Sequence, residues 1–379
     1  MRILITGICG FVGSTLAEAI LEAPGGLAIE ITGIDNFSRN GSWLNRERLI
    51  AKGIRVVHGD IRSASDLEVL GPFDYLIDAA ANPSVLAGVD GKTSSRQLIE
   101  HNLGGTINLL EACKRWQAGF ILLSTSRVYS IPPLAKLNVE VHDGAFRPVT
   151  SDECGFLPSG VSAGGIDESF STAPPSSLYG STKVTSETLA LEYGLTFDFP
   201  VWINRCGVMA GARQFGKPDQ GIFAFWIHSW REGLPLKYIG FDGLGHQVRD
   251  CLHPRDLAPL VLKQIGASSI STSQDFSVSA FPKIVNLSGG IDSAISLRQL
   301  SNWCAERFPS SETASSLPTE NSRLKTPAEI RPFDLPWVVL DHSLASETWD
   351  WQPTTPIATI LEEIATFAET SPQWIASSA

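Results

Sequence analysis

Tyr179 and Lys183 are the side chains in this 379-residue chain whose types and spacing could move a proton. They stand four residues apart in a stretch that predicts a helix, so both are expected on one helical face. A free tyrosine has a pKa near about 10, and we expect the lysine cation to lower it. The phenol could then remove a proton from an alcohol while a hydride leaves the same carbon. The spacing also occurs by chance on surface helices, so this hypothesis depends on a dinucleotide site earlier in the chain.

A glycine-rich turn at the start of the chain predicts that dinucleotide site. Gly7, Gly10 and Gly13 follow the apolar run 2–6 and open a helical pattern. Small residues here let the backbone turn tightly and approach a pyrophosphate, which the helix N-terminus stabilises. An ordinary βα turn is the alternative, but the next predicted strand ends in Asp35, about where a carboxylate binds the adenosine ribose.

The carboxylate of Asp35 also predicts the cofactor. It accepts a hydrogen bond from a 2′-hydroxyl and repels a 2′-phosphate, which favours NAD over NADP. Arg39 leaves NADP open, because an arginine can hold that phosphate. Asp60 either flanks the adenine or caps a helix. The predicted cofactor contacts in this part of the chain are Gly7, Gly10, Phe11, Val12, Gly13, Asp35, Asn36, Ser38, Arg39, Asp60, Ile61, Ala79, Ala80 and Ala81.

Composition limits the class of protein. The chain is 43% hydrophobic and 18% charged, as a globular protein is. Its net charge of −11 argues against nucleic acid as a partner, so an anionic substrate would need a local basic pocket. Six scattered cysteines show no metal-binding spacing, and we predict no metal site. No apolar run approaches the roughly 20 residues of a membrane span, and the chain begins on a strand. We therefore expect no membrane association, no signal peptide and a cytoplasmic protein.

Strand and helix patterns alternate in the first half of the chain, which predicts an α/β protein with a doubly wound parallel Rossmann sheet. Predicted strands are 2–6, 28–34, 55–58, 75–78, 120–124 and 201–205, and predicted helices start near Phe11, Ser42, Ala64, Ser95, Ser176 and Gln220. Residues 131–173 and 308–331 lack periodicity and are predicted as long loops.

The second half of the chain predicts a smaller, mixed α/β lobe. Short strands are predicted near 235–240 and 283–287, and helices near Pro254 and Ile357. We assign residues 1–206 mainly to the cofactor-binding domain and residues 207–379 mainly to a substrate-binding lobe, interleaved with the first.

The order of these motifs resembles the extended short-chain dehydrogenase/reductase family over nearly the whole chain. The segment Leu122–Tyr129, at the end of the fifth predicted strand, is similar to the family's Ser/Thr segment. The resemblance implies Thr125, Tyr179 and Lys183 as catalytic residues. It adds Asn102, Ser124, Tyr179 and Lys183 to the cofactor contacts. It also implies a possible homodimer formed through the helices after Ser95 and Ser176.

One position separates reaction types within that family. Dehydratases carry an acid shortly after the catalytic threonine, whereas this chain reads Thr125-Ser126-Arg127. An arginine cannot act as a carboxylate base, so the sequence argues against a dehydratase and favours an epimerase or a reductase.

Residues 165–169, 212–221 and 245–253 resemble the branch that contains the CDP-paratose 2-epimerases. That resemblance implies an NAD-dependent epimerase of a nucleotide-activated sugar, in which Tyr179 is first base and then acid around a transient ketosugar. Three alternatives stay open: a 4-epimerase, an NAD(P)-dependent nucleotide-sugar reductase and a non-catalytic dinucleotide-binding protein.

Basic and polar residues are predicted to bind the substrate. By the resemblance, Arg249 and Arg331 hold the nucleotide diphosphate, for which guanidinium forks are suited; surface ion pairs with Asp250 and Asp334 are the alternative. The full predicted set is Ser126, Arg127, Arg213, Gln220, Arg249 and Arg331. Arg213 and Gln220 could instead only order a loop.

Overall fold

The computed structural model describes residues 1–24, 28–89, 91, 94–150, 157–267, 281–309, 333–374 and 376. The strands are β1 (Arg2–Thr6), β2 (Glu30–Asp35), β3 (Arg55–His58), β4 (Tyr75–Asp78), β5 (Gly119–Thr125), β6 (Val139–His142), β7 (Ala145–Pro148), β8 (Val201–Cys206), β9 (Val208–Met209), β10 (Val248–Leu252), β11 (Ile284–Leu287), β12 (Ala294–Ser296) and β13 (Trp337–Val338). The helices are α1 (Phe11–Glu22), α2 (Arg46–Ala51), α3 (Ala64–Glu68), α4 (Ser95–Ile99), α5 (Gly105–Trp116), α6 (Ile131–Ala135), α7 (Ser177–Phe197), α8 (Ile222–Arg231), α9 (Leu257–Ala267), α10 (Leu297–Arg307), α11 (Ser343–Trp349) and α12 (Ile357–Thr370).

The central sheet confirms the predicted fold class. Within the described residues, its seven strands run parallel in the order β11-β8-β5-β4-β1-β2-β3. The strand order reverses between β1 and β4, and ligands of such sheets bind in the crevice at the carboxyl ends there. All six strands predicted for the first half of the chain are present, and their bounds differ from the predicted ones by at most two residues.

Alternating side chains of the strands build two core layers, one on each face of the sheet. Ile3 and Ile5 of β1 pack with α1 and α9, whereas Leu4 packs with α5 and α7. This alternation follows from the period of two in a β-strand. Among the described residues, helices therefore cover both faces of the sheet, and the strand ends are left for a ligand.

The smaller lobe contains a mixed sheet. Strand β10 runs parallel to β9 and β13 and antiparallel to β12. An apolar cluster beside this sheet joins α8, α10 and α12. The lobe matches the predicted mixed α/β architecture.

Of the two strands predicted for this lobe, one is absent and the other is present but belongs to the central sheet. Residues 235–240 form no strand; Leu236 and Tyr238 alternate because both are buried against α8 and its neighbours. Strand β11 exists, but it pairs with β8 and completes the central sheet. A four-residue strand with three buried residues fits a position covered by helices rather than a lobe edge.

The predicted loop over residues 131–173 contains regular structure. It holds α6 and the antiparallel hairpin β6–β7, whose strands are joined by Asp143-Gly144. Asp-Gly between short strands is a known hairpin signal that the prediction missed. The predicted loop 308–331 lies almost wholly outside the described residues.

Segments of the second half of the chain contribute to the central domain. Strand β11 and α9 belong to the second half and complete the sheet and helix layer of the first. The boundary at residue 206 stays a prediction. No helix in the described ranges is both long and apolar enough to cross a membrane.

Candidate functional site

One cavity of about 1100 Å³ lies at the carboxyl ends of the central strands. Its lining includes Gly7 after β1, Asp35 at the end of β2, Ala79 after β4, Thr125 at the end of β5 and Cys206 at the end of β8. A single space therefore joins the glycine-rich turn to the predicted catalytic residues.

The turn between β1 and α1 is shaped to bring backbone N–H groups to this cavity. Gly7 has φ +60°, a conformation that favours glycine. A Cβ added at Gly13 would lie less than 3.0 Å from the carbonyl oxygen of Gly7, so only glycine permits this close packing. The first N–H groups of an α-helix lack intrahelical partners. The residues that begin α1 line the cavity, an arrangement that fits the pyrophosphate of a dinucleotide.

Asp35 is held in place by two backbone groups. Its carboxylate accepts hydrogen bonds from the N–H of Cys9 at 2.9 Å and of Phe37 at 2.8 Å. Burial raises the pKa of Asp35, and these hydrogen bonds act against that rise. The carboxylate faces the cavity and fits a ribose hydroxyl.

Asp60 also faces the cavity and does not cap a helix. Ser63 occupies the N-cap position of α3, so the capping alternative was wrong. Asp60 accepts hydrogen bonds from Arg62, at 2.6 and 3.0 Å, and from Asn36 at 3.0 Å. These bonds hold the pKa of Asp60 well below its usual range.

The structure brings most of the predicted cofactor contacts to the cavity wall, and their binding of a cofactor stays a prediction. The residues that line the cavity are Gly7, Gly10, Phe11, Val12, Gly13, Asp35, Asn36, Ser38, Arg39, Asp60, Ile61, Ala79, Ala80, Ala81, Ser124, Tyr179 and Lys183. Asn102 does not line it. The Asn102 amide instead accepts from the N–H of Asn82 at 2.8 Å and donates to its carbonyl at 3.1 Å, which braces the segment after β4.

Thr125 and Tyr179 meet where β5 ends and α7 begins. The hydroxyl of Thr125 hydrogen-bonds the phenol of Tyr179. A glycine permits the approach: a Cβ at Gly180 would lie less than 3.0 Å from the carbonyl oxygen of Arg127. Lys183 is buried one turn further along α7 and donates to the carbonyl of Leu123 at 3.1 Å. The three predicted catalytic residues therefore share one end of the cavity.

Burial raises the pKa of Tyr179 to about 12. The hydrogen bond from Thr125 and the positive charge of Arg127 act against that rise. We expected Lys183 to lower this pKa, and that role of Lys183 stays a prediction. The ammonium of Lys183 is directed at the Leu123 carbonyl, and the guanidinium of Arg127 provides the cation that acts on the phenol.

Two arginines lie at the substrate end of the cavity. Arg127 donates to the carbonyl of Phe333 at 3.4 Å; burial lowers its pKa to about 10, and repulsion from Arg249 adds to this. Arg249 forms an ion pair with Asp334 at 3.1 Å, with both side chains about one-sixth exposed. The pair lines the cavity and does not lie on an open surface, and binding of a diphosphate by Arg249 stays a prediction. Asp250 is buried elsewhere and accepts hydrogen bonds from backbone N–H groups.

The remaining predicted substrate residues have different positions. Ser126 and Gln220 line the cavity. Arg213 does not: it is exposed, and its guanidinium lies over the ring of Phe367 at 5.7 Å. The structure does not bring Arg213 to the site. Arg331 lies outside the described residues.

A buried polar network beneath the site was missed. Glu187, four residues after Lys183 on α7, accepts hydrogen bonds from Arg205 of β8 and from Ser124 of β5, the latter at 2.5 Å. The available signal was an arginine inside an apolar strand, which requires a buried partner. Ser84 and Asp219, which also line the cavity, form a hydrogen bond that no local pattern predicted.

No group of three or more His, Cys, Asp and Glu side chains in the described part of the chain is arranged to hold a metal ion.

Comparison with known proteins agrees with this geometry. Residues 3–278 match the NAD dependent epimerase/dehydratase family. CDP-paratose 2-epimerase from Salmonella typhi is 31% identical over 310 residues, 79% of this chain and 82% of that protein. UDP-glucuronate 4-epimerase 3 from Arabidopsis thaliana is 28% identical over 282 residues, 71% of this chain and 56% of that protein.

A solved structure is also similar in fold. The UDP-glucuronic acid 4-epimerase from Bacillus cereus, in complex with UDP-glucuronic acid and NAD, has a TM-score of 0.69 and 24% identity. The match covers 98% of this chain and 99% of that one. The family resemblance drawn from the motifs is thereby confirmed, and the chain belongs to the NAD dependent epimerase/dehydratase family.

Proposed function

We propose that this protein is an epimerase that inverts one carbon of a nucleotide-activated sugar with the help of NAD. One arrangement carries the proposal. Thr125 and Tyr179 meet in the cavity that also receives the glycine-rich turn, and Arg127 stands beside them in place of an acid.

The residues at the cofactor end fit NAD. The N-terminus of α1 would face the pyrophosphate, Asp35 the adenosine ribose, and Tyr179 and Lys183 the nicotinamide ribose. When bound, NAD supplies the acceptor for the hydride of a sugar carbon and the donor that returns it. The small side chains of Ala79, Ala80 and Ala81 leave space beside the backbone after β4, so that a flat ring can lie close to it.

The protein's part in the reaction is proton transfer. Tyr179, as phenolate, removes the proton of the sugar hydroxyl and later returns it to the ketone oxygen. Thr125 donates a hydrogen bond to the phenolate, and the positive charge of Arg127 stabilises it. Return of the hydride to the other face of the ketosugar inverts the carbon without net oxidation.

Arg127 also explains why elimination is not expected. Loss of water next to the ketone requires a carboxylate base or acid at this end of the site. Arg127 carries the opposite charge and makes a hydrogen bond to Phe333. At the position where a dehydratase carries its acid, the ketosugar would therefore meet a guanidinium and not a carboxylate.

The substrate we favour is a CDP-linked sugar inverted at C2. The identity of 31% to CDP-paratose 2-epimerase from Salmonella typhi supports this choice. Arg249 fits the diphosphate, since a guanidinium can bind two phosphate oxygens at once. Binding would compete with the ion pair between Arg249 and Asp334.

The test is incubation of the purified protein with CDP-, UDP-, GDP- and dTDP-sugars in heavy water, without added cofactor. We expect one C2 epimer pair, seen by NMR, with the original hydrogen retained at the inverted carbon. Solvent deuterium at that carbon would contradict hydride return. Inversion at C4 of a UDP-sugar would replace the proposed substrate by a 4-epimerase substrate.

Two further observations separate this proposal from its alternatives. A steady change in absorbance at the nicotinamide band, with consumption of added cofactor, would indicate a reductase. Tyr179→Phe should lower turnover by about 10²- to 10⁴-fold, the usual contribution of a general base, while bound NAD stays at the wild-type level. A Tyr179→Phe protein as active as wild type would refute the role of the phenol.

A further inference from the structure

A segment of the smaller lobe lies across the cofactor end of the cavity. We call residues 214–221 the strap. Arg39 donates through Nη1 to Oε1 of Gln220, near the end of the strap, at 2.7 Å and through Nη2 to the carbonyl of Phe215, near its start. Close by, the hydroxyl of Ser84 donates to Asp219 at 2.7 Å. Two side chains of the central domain thus hold the strap.

The sheet order shows what the strap covers. Arg39 follows β2, Ser84 follows β4, and β1 lies between these two strands. A segment bound to both residues must pass in front of the carboxyl end of β1, where the turn through Gly7 begins. The strap and this turn both line the cavity. A dinucleotide on the turn would lie between the turn and the strap.

The start of the strap, residues 214 and 215, is also fixed to other parts of the protein. Trp374 donates to the carbonyl of Gln214 at 3.1 Å, and its ring stacks on Phe215 with centroids 4.9 Å apart. Gln214 also donates to the carbonyl of Met209 at 2.8 Å. The start of the strap is therefore held by ring stacking and hydrogen bonds, and Asp219 and Gln220 near its end are held by the side chains of Ser84 and Arg39.

Residues 217–220, the tip of the strap, form a compact turn. Backbone hydrogen bonds run from Lys217 to Gln220 at 2.6 Å and back at 3.1 Å. Asp219 and Gln220, which contact Ser84 and Arg39, therefore belong to one hydrogen-bonded turn.

We propose that Arg39 and Ser84 are positioning residues that hold the strap closed over the dinucleotide site and so retain the cofactor. The inference rests on the proposed function, because it places NAD in this cavity. An epimerase has to keep its cofactor until the hydride is returned, and a closed strap serves that need. It also gives Arg39 a partner other than a 2′-phosphate, since both of its terminal nitrogens bind the strap.

The experiment measures release of bound NAD in the absence of any sugar. Protein loaded with NAD is diluted into alcohol dehydrogenase and ethanol, so that released NAD is reduced and read by absorbance. Four single variants remove the contacts from both sides: Arg39→Ala, Gln220→Ala, Ser84→Ala and Asp219→Ala. Arg46→Ala is the control, since Arg46 is an exposed arginine that lies outside the cavity and pairs with Glu47.

We expect faster release from all four variants and unchanged release from the control. Arg39→Ala should release NAD about 10- to 100-fold faster, the change that loss of a hydrogen bond to a charged group implies. Arg39→Lys should fall between Ala and wild type, because an ammonium cannot reach both acceptors with the same fork. Far-UV circular dichroism and melting temperature check that each variant is folded.

Double variants test which residues share one hydrogen bond and which contacts contribute independently to NAD retention. Ser84→Ala with Asp219→Ala should release NAD no faster than either single variant, because both remove one hydrogen bond. Arg39→Ala with Ser84→Ala should exceed both singles, because it removes two.

Three results would overturn the inference. Release within about twofold of wild type in all four variants would mean that the strap does not retain NAD. Faster release from Arg39→Ala with no change in Gln220→Ala would mean that Arg39 contacts the cofactor itself. Failure of the wild type to bind NAD would refute the proposed function, and the inference with it; in the first two cases the proposed function stands.

Discussion

Arg205 and Glu187 form a buried ion pair directly beneath the catalytic end of the cavity. Nε of Arg205 lies 3.1 and 3.2 Å from the two carboxylate oxygens of Glu187, and Nη2 lies 2.7 Å from one of them. Glu187 also accepts from Ser124. The pair therefore joins β8, α7 and β5, the elements that carry Cys206, Tyr179 and Thr125.

Removing one partner of this pair should destabilise the protein strongly. Glu187→Leu leaves the guanidinium of Arg205 buried without its counter-ion, which costs about 3–5 kcal/mol in the free energy of unfolding. Urea denaturation of the NAD-free protein measures the change. The double variant Glu187→Leu/Arg205→Met should recover part of the loss, because it buries no unpaired charge. Equal urea midpoints for Glu187→Leu and wild type would contradict the prediction.

Gly180→Ala should disrupt the site although alanine favours helices. Removing a helical glycine gains about 0.5–1 kcal/mol, but overpacking against the Arg127 carbonyl costs about 1–3 kcal/mol. If Tyr179 moves by about 1 Å, the rate falls by about 10²-fold. Turnover and melting temperature test both effects.

Gly266→Ala is the matched control for Gly180→Ala. Gly266 lies in α9, and an added Cβ there meets no atom within 4 Å. This variant should be more stable by about 0.5–1 kcal/mol and fully active. Turnover of Gly180→Ala at the wild-type rate would show that the close approach of Gly180 to Arg127 does not position the phenol.

Arg127→Met should shift the pH dependence of the reaction. Proton removal needs the phenolate of Tyr179, whose pKa is already raised to about 12 by burial. Loss of the Arg127 charge raises that pKa further, so the acid limb of kcat/KM moves to higher pH. Arg127→Lys keeps the charge and should shift the limb less.

Arg249→Met is the comparison for Arg127→Met. Arg249 lies at the diphosphate end in the proposed complex, so its loss should raise KM and leave the limb in place. If the acid limb of the kcat/KM pH profile lies at the same pH in Arg127→Met as in the wild type, the electrostatic role of Arg127 is refuted.

His253 should contribute to acid unfolding. Its Nδ1 accepts hydrogen bonds from the N–H of Arg255 at 3.1 Å and from the Arg255 side chain at 2.9 Å, so the ring is held neutral. Burial lowers the pKa of His253 to about 3, and the charge of Arg255 adds to this, although Glu363 lies 3.5 Å from Nε2. An unfolded histidine titrates near about 6.5. The stability from the neutral ring is complete above that pH and is lost as the pH falls toward about 3.

His253→Asn tests this by unfolding in urea between those two pH values. Asparagine keeps a capping acceptor but does not titrate, so stability should fall less steeply with acid. Some slope should remain, because the pKa of His228 is also lowered, to about 4. The exposed His142→Asn is the control and should keep the wild-type slope. A wild-type slope in His253→Asn would contradict the prediction.

The sequence by itself determined the parallel sheet and the end of it that holds the site. Strand alternation, the glycine-rich turn and helical spacing are local patterns, set by neighbours a few residues away. They predicted β1, β3 and β4 with their observed bounds. Helical spacing put Tyr179 and Lys183 on one helical face, and the family resemblance added Thr125 at the end of a parallel strand, the edge where such sheets bind ligands.

Only the tertiary structure decided the partners of the long charged side chains. Arg39 binds Gln220, which is 181 residues away in sequence, and Glu187 binds Arg205 across two elements. Such side chains can reach partners several ångströms away. A buried charge that lacks its partner lowers the free energy of unfolding, so the partner matters for stability. No local pattern encodes that choice, which is why the cation beside Tyr179 proved to be Arg127.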